Sequence, residues 1–183
     1  MWTLANILTG FRLVAAAPTA ALVLAGAPVS ALALFALAAA TDFFDGWLAR
    51  ARGEVSTFGA WLDPLADKAL SLAALAALMW DGTVAGPHLA AAWIIILREL
   101  LVAGARFYMD RRAEAGAAPQ VAIPVSPLSK LKTATLLVAL ALLMAAPLAP
   151  GAAGPGLILL WVAAGQAVVS GFGYWRAAQR EAA

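Results

Sequence analysis

The sequence predicts an all-α integral membrane protein of six transmembrane helices, on two observations: its overall apolarity and the punctuation of its apolar runs. Hydrophobic residues make up 64% of the chain and charged residues 12%, and mean hydropathy is +0.88, values outside the range of soluble domains. About six apolar runs recur, each close to the ~20 residues that a helix needs to cross ~30 Å of hydrocarbon. Gly and Pro clusters separate them.

The runs predict helices at Leu4 to Leu24, Val29 to Leu48, Phe58 to Trp80, His88 to Met109, Leu128 to Ala146 and Gly156 to Trp175. Breaks are expected at Gly26-Ala27-Pro28, Arg50 to Thr57, Asp81 to Pro87, Asp110 to Pro127 and Pro147 to Pro155. One domain spanning residues 1–183 follows, with no internal repeat of solenoid period. Cleavage of a leader after Ala-Pro-Val-Ser-Ala is not expected, because no Lys or Arg precedes Arg12.

Charge assigns the sides. The loops after the first, third and fifth helices hold Asp81 as their one charged residue, whereas Arg50, Arg52, Arg111, Arg112, Lys130, Arg176 and Arg180 fall on the other side. The positive-inside bias then puts both termini and the even-numbered loops in the cytoplasm of an inner-membrane protein. Arg12, Lys68, Arg98, Arg106 and Lys132 lie within or near the same-side helix ends, where long side chains snorkel. Trp2, Trp80 and Trp175 sit near expected helix ends, as aromatic belts do.

Several function classes are excluded. The net charge of +2 with no dense basic stripe argues against nucleic acid, despite a pI of 9.4. Cysteine is absent, which removes disulfides and thiolate chemistry. The single histidine, His88, rules out a His-rich metal site and reads as an interfacial polar residue at a helix start.

Against this background four carboxylates stand out, in the order Asp42-x-x-Asp45-Gly46-x-x-Ala49-Arg50, eight residues, Gly59-x-x-x-Asp63-x-x-x-Asp67. An aspartate at the centre of a membrane helix costs roughly 2.5–3.5 kcal/mol on insertion scales, so four cost on the order of 10 kcal/mol without compensation. At 100° per residue Asp42, Asp45, Gly46 and Ala49 share one helical face, and Gly59, Asp63 and Asp67 share another. Two helix ends therefore offer four carboxylates over a surface kept low by small residues. An all-oxygen cluster suits hard ions, Mg²⁺ or Mn²⁺ and also Ca²⁺, and such ions grip a pyrophosphate. Pairing of the aspartates with Arg50, Arg52 and Lys68 as surface caps is the simpler alternative, which regular helical spacing of all four disfavours. A small ion or proton transporter is the alternative from another class; it predicts polar residues continuing to the far side and an inverted repeat, whereas the far halves of these helices are nearly all Ala, Leu and Val.

This pattern resembles the signature of the CDP-alcohol phosphatidyltransferases, with every defined position present. The resemblance implies a six-helix membrane enzyme, a homodimer, that displaces CMP from a CDP-linked lipid with an alcohol. It implies Asp42, Asp45, Asp63 and Asp67 as ligands of two Mg²⁺ or Mn²⁺ ions, with Asp67 also the general base. Gly46, Ala49, Arg50 and Gly59 match the CDP-lipid cradle, together with Asn6 and Thr9. Beyond the signature, Asn6-Ile7-Leu8-Thr9-x-x-Arg12, Arg98-Glu99-Leu100 with Arg106, and Ser126-x-x-Ser129-Lys130-x-Lys132-Thr133 are similar to the phosphatidylglycerophosphate synthase branch, with Ala5 and Ser129 departing from its usual Pro and Gly. That branch implies CDP-diacylglycerol as donor and glycerol 3-phosphate as acceptor, its phosphate held by Arg98, Arg106, Arg112, Lys130 and Lys132. Phosphatidylglycerol, serine and inositol are the alternative acceptors. Glu99 has a simpler expectation, pairing with one of these cations.

Overall fold

In the computed structural model the backbone is described for residues 4–52, 57–114 and 127–181, and side chains for 10–41, 68–105, 107, 111 and 128–171. Six helices account for nearly all of it: α1 Leu4–Leu24, α2 Pro28–Arg52, α3 Thr57–Trp80, α4 His88–Glu114, α5 Pro127–Ala145 and α6 Ala153–Glu181. A 3-10 turn at Pro150–Ala152 leads into α6, and no strand occurs among the described residues. In lipid every backbone polar group must be satisfied within the chain, and a helix does so segment by segment. Among the described residues, His88–Ala105, Leu128–Ala145 and Pro150–Gly171 are long and apolar enough to span a membrane. The chain is an integral membrane protein.

Tight turns close the less charged end. Gly26 adopts φ 65°, and the Ala27 amide donates to the Leu22 carbonyl at 3.0 Å, the six-to-one bond that stops a helix at a left-handed glycine. Pro28 then opens α2 at a position whose N–H has no helical partner anyway. After α3, the Thr83 amide donates to Asp81 Oδ1 at 2.8 Å, while Gly82 and Gly86 take positive φ. Asp81 thus serves the turn. His88 begins α4, and its Nδ1 accepts a hydrogen bond from Trp161 Nε1–H of α6 at 3.1 Å, joining two helices at that end.

Helix ends on the charged side extend past the apolar runs. α2 continues to Arg52, α4 to Glu114 and α6 to Glu181, beyond the expected stops at Leu48, Met109 and Trp175. The end of an apolar run marks the hydrocarbon border, not a helix stop; Ala, Arg, Gln and Glu continue the helix readily. α3 runs unbroken through Pro64 and α1 through Pro18.

Packing relies on small residues. Ala31, Ala38, Ala74, Ala91, Ala139 and Ala163 are fully buried, beside Phe35, Leu75, Ile95, Leu140 and Leu160. Large apolar side chains such as Val14, Leu101 and Trp80 face outward. This distribution fits lipid solvation, where close helix approach through small residues replaces a hydrophobic drive inward. At Gly156 a Cβ would lie 2.9 Å from Leu143 Cγ, so glycine lets α6 approach α5. α1 lies against α2 and α3, α6 against α4 and α5, and α2 also meets α5. The bundle thereby brings α2, α3, α4 and α5 around the end that carries the charges.

Candidate active site

The signature divides between two neighbouring helices. Asp42, Asp45, Gly46, Ala49 and Arg50 belong to the last turns of α2, and Gly59, Asp63 and Asp67 to the first turns of α3. Asn6 and Thr9 lie near the start of α1, which packs on both. The helical spacing expected for the two carboxylate pairs is therefore the backbone conformation found. The side chains of all these positions, and of Arg106 and Arg112 on α4, lie outside the described residues. Among the described residues no cluster of three or more metal-ligating groups occurs. By residue type alone, four aspartates on α2 and α3 offer only hard oxygen donors, a chemistry that fits Mg²⁺ or Mn²⁺.

Directly after Asp67 comes Lys68, the first residue of α3 whose side chain is described, and it belongs to a buried ionic layer. Lys68 Nζ lies 3.4 Å from Glu99 Oε2 and donates to the Glu99 backbone oxygen at 3.4 Å. Arg98 Nη1 donates to Glu99 Oε1 at 2.9 Å. Lys132 Nζ of α5 donates to the same oxygen. Arg98 Nη2 reaches α6, donating to Ser170 Oγ at 3.0 Å, and Ser170 in turn donates to the Ala167 carbonyl at 3.1 Å. One carboxylate thus gathers cations from α3, α4 and α5, and one guanidinium ties α4 to α6.

Burial makes this layer unusual. The side chains of Glu99, Lys132 and Arg98 are 6%, 5% and 9% exposed, and all three fall in membrane-spanning stretches. Ionisable groups at such depth are costly unless mutually compensated, and removing one partner of a buried pair costs about 3–5 kcal/mol. Arg12 of α1 is also buried, at 2% exposure.

Of the basic residues expected to meet an acceptor, Arg98 and Lys132 are brought together through Glu99, whereas Lys130 is exposed on α5. Arg111 is exposed and lies 5.1 Å from the Phe107 ring centroid, a cation–π contact suited to anchoring at the membrane surface. Lys68 and Ser170 were not among the expected site residues. Lys68 carried a signal in its place beside Asp67; Ser170, a lone hydroxyl in an apolar helix, carried almost none.

Two helices that present a complete Asp-x-x-Asp-Gly-x-x-Ala-Arg and Gly-x-x-x-Asp-x-x-x-Asp signature, in an all-α membrane bundle, define a membrane transferase acting on CDP-linked alcohols. The chain belongs to the CDP-alcohol phosphatidyltransferase family, whose profile matches residues 2–169. Relatives named CDP-diacylglycerol–glycerol-3-phosphate 3-phosphatidyltransferase include a protein of Cereibacter sphaeroides, 33% identical with 97% of this chain and 96% of the relative covered. The Rickettsia typhi protein of that name is 37% identical, covering 79% of this chain and 77% of its own length. For the Escherichia coli (strain K12) protein of that name the figures are 37%, 66% and 63%.

Proposed function

We propose that this chain transfers the phosphatidyl group of CDP-diacylglycerol to glycerol 3-phosphate, giving phosphatidylglycerophosphate and CMP. The observation that carries the reading is the complete signature on α2 and α3. The printed activity of relatives aligned along most of the chain supports the acceptor, as does the cationic layer at Arg98 and Lys132, since a phosphate monoester calls for charge-assisted donors that a neutral polyol does not.

Asp42, Asp45, Asp63 and Asp67 would hold two Mg²⁺ or Mn²⁺ ions. Bound there, such ions would neutralise pyrophosphate charge and make CMP a better leaving group. Gly46, Ala49 and Gly59 would leave room for the nucleotide and pyrophosphate, and Arg50, Asn6 and Thr9 would complete the CDP-lipid site. Asp67 takes the proton of the acceptor hydroxyl as its oxygen attacks the lipid-side phosphorus, and the bond from that phosphorus to the oxygen of CMP breaks. Arg98 and Lys132 orient the acceptor through its phosphate, with Arg106, Arg112 and Lys130 drawing it in from water. No covalent intermediate is required: the chain has no cysteine, and its one histidine starts α4, ten residues or about 15 Å of helix from Arg98.

The charge bias of the loops supports an inner-membrane enzyme with termini and active site in the cytoplasm, where glycerol 3-phosphate is available. Residues 1–183 act as one catalytic domain, and the family resemblance supports a homodimer. The test offers purified protein CDP-diacylglycerol and Mg²⁺ with glycerol 3-phosphate, phosphatidylglycerol, serine or inositol, separately, and follows CMP release. Glycerol 3-phosphate should support turnover at least about a hundredfold above the others, a discrimination expected where buried polar donors are left unpaired by the wrong acceptor. Preferred turnover with another acceptor would reassign the substrate, and no turnover with any would remove the synthase reading.

A further inference from the structure

We propose that Glu99 is a positioning residue for the acceptor: its carboxylate holds Lys132 and Arg98 in place for the acceptor's phosphate and couples them, through Lys68, to the segment of α3 that carries Asp67. The inference rests on the acceptor reading given above and assigns a role to a residue that would repel the ligand if it touched it.

The geometry is specific. Glu99 Oε1 accepts from both Lys132 Nζ and Arg98 Nη1, and Oε2 faces Lys68 Nζ at 3.4 Å. The three cations come from α5, α4 and α3, so one carboxylate fixes the relative placement of three helices at this depth. Arg98 has a second anchor in Ser170. The ion pair and hydrogen bond described for Lys132 are both to Glu99, and Lys132 is 4% exposed. An ammonium carries three donors, and the Glu99 bond uses one.

Removing the charge of Glu99 would leave three like charges near one another in a low-dielectric layer, where they repel. Lys132 would then swing away from the place where Glu99 holds it, and that removes a donor from the acceptor's phosphate. Lys68 adjoins Asp67 in sequence, so the same carboxylate sets the distance between the phosphate-holding cations and the helix that bears the base. Placement of this kind governs how a bound acceptor meets its reacting partner.

The test measures KM for glycerol 3-phosphate and for CDP-diacylglycerol in detergent for the unaltered protein, Glu99→Gln, Glu99→Asp and Lys132→Gln. Glu99→Gln should raise KM for glycerol 3-phosphate by about tenfold or more while KM for CDP-diacylglycerol stays within about twofold. Glu99→Asp, which keeps the charge on a shorter arm, should fall between Glu99→Gln and the unaltered protein. A purely structural Glu99 would lower the melting temperature and the active fraction but leave both KM values alone, and that result overturns the inference. If Lys132→Gln raises KM for glycerol 3-phosphate and Glu99→Gln does not, the role of Glu99 fails and the acceptor reading stands. If Lys132→Gln leaves that KM unchanged, the acceptor site itself is misplaced and the inference falls with it. Should Glu99→Gln fail to fold, Glu99→Asp decides: an acceptor KM equal to that of the unaltered protein contradicts the proposal.

Discussion

Asp67→Asn is expected to lower kcat by about 10²–10⁴, the contribution usual for a positioned general base, while the purified variant still binds CDP-diacylglycerol. Asp67 follows Asp63 by one helical turn on α3, and Asn preserves its size and leaves the other three carboxylates in place. The substitution would remove the proposed acceptor of the hydroxyl proton and, with it, the charge of one proposed oxygen ligand. Turnover at a set CDP-diacylglycerol concentration and binding of the CDP-lipid, measured side by side, separate loss of chemistry from loss of the donor site. Near-normal turnover would exclude Asp67 as the required base.

Removing divalent metal should abolish turnover outright. Four carboxylates brought together from α2 and α3, as proposed, would repel one another unless cations neutralise them, and the pyrophosphate would bring further negative charge to the same place. Treatment with excess chelator, followed by dialysis, should leave the helical circular-dichroism spectrum intact and CMP release at background. Mg²⁺ or Mn²⁺ should restore it, because an oxygen-only donor set favours hard ions. Full activity after chelation would mean that the aspartates serve only as caps and ion-pair partners.

Much of the fold was legible because its signals are physical limits rather than preferences. α1 ends at Leu24 and α3 at Trp80, as expected, since Gly26, Pro28, Asp81 and Gly82 are true breakers or caps, with positive φ at both glycines. The charged-side ends of α2, α4 and α6 were less legible: hydropathy reports where lipid stops, and arginine- and alanine-rich segments carry the helix on past that border. The helical register of the four aspartates was readable, as spacing follows from position alone once a helix is granted.

The basic layer was readable only in part. The depth of Arg98 and Lys132 could be inferred from their place in apolar runs, and their sign pointed to an anionic ligand. Their convergence on Glu99 depends on contacts between residues 33 positions apart, and Lys68 joins across 31 positions. No local pattern encodes such pairings. The Arg98–Ser170 bond spans 72 positions and depends on α4 packing against α6. The sequence-level expectation that Glu99 pairs with one cation thus understates a carboxylate that meets three.

The most direct measurement reconstitutes the protein in liposomes containing CDP-diacylglycerol, adds Mg²⁺ and isotopically labelled glycerol 3-phosphate, and identifies the products by mass spectrometry. Labelled phosphatidylglycerophosphate and CMP should form in equal amounts, and both should form at least about a hundredfold more slowly with Asp67→Asn. CMP accompanied by phosphatidic acid, or label absent from every lipid product, would contradict the account.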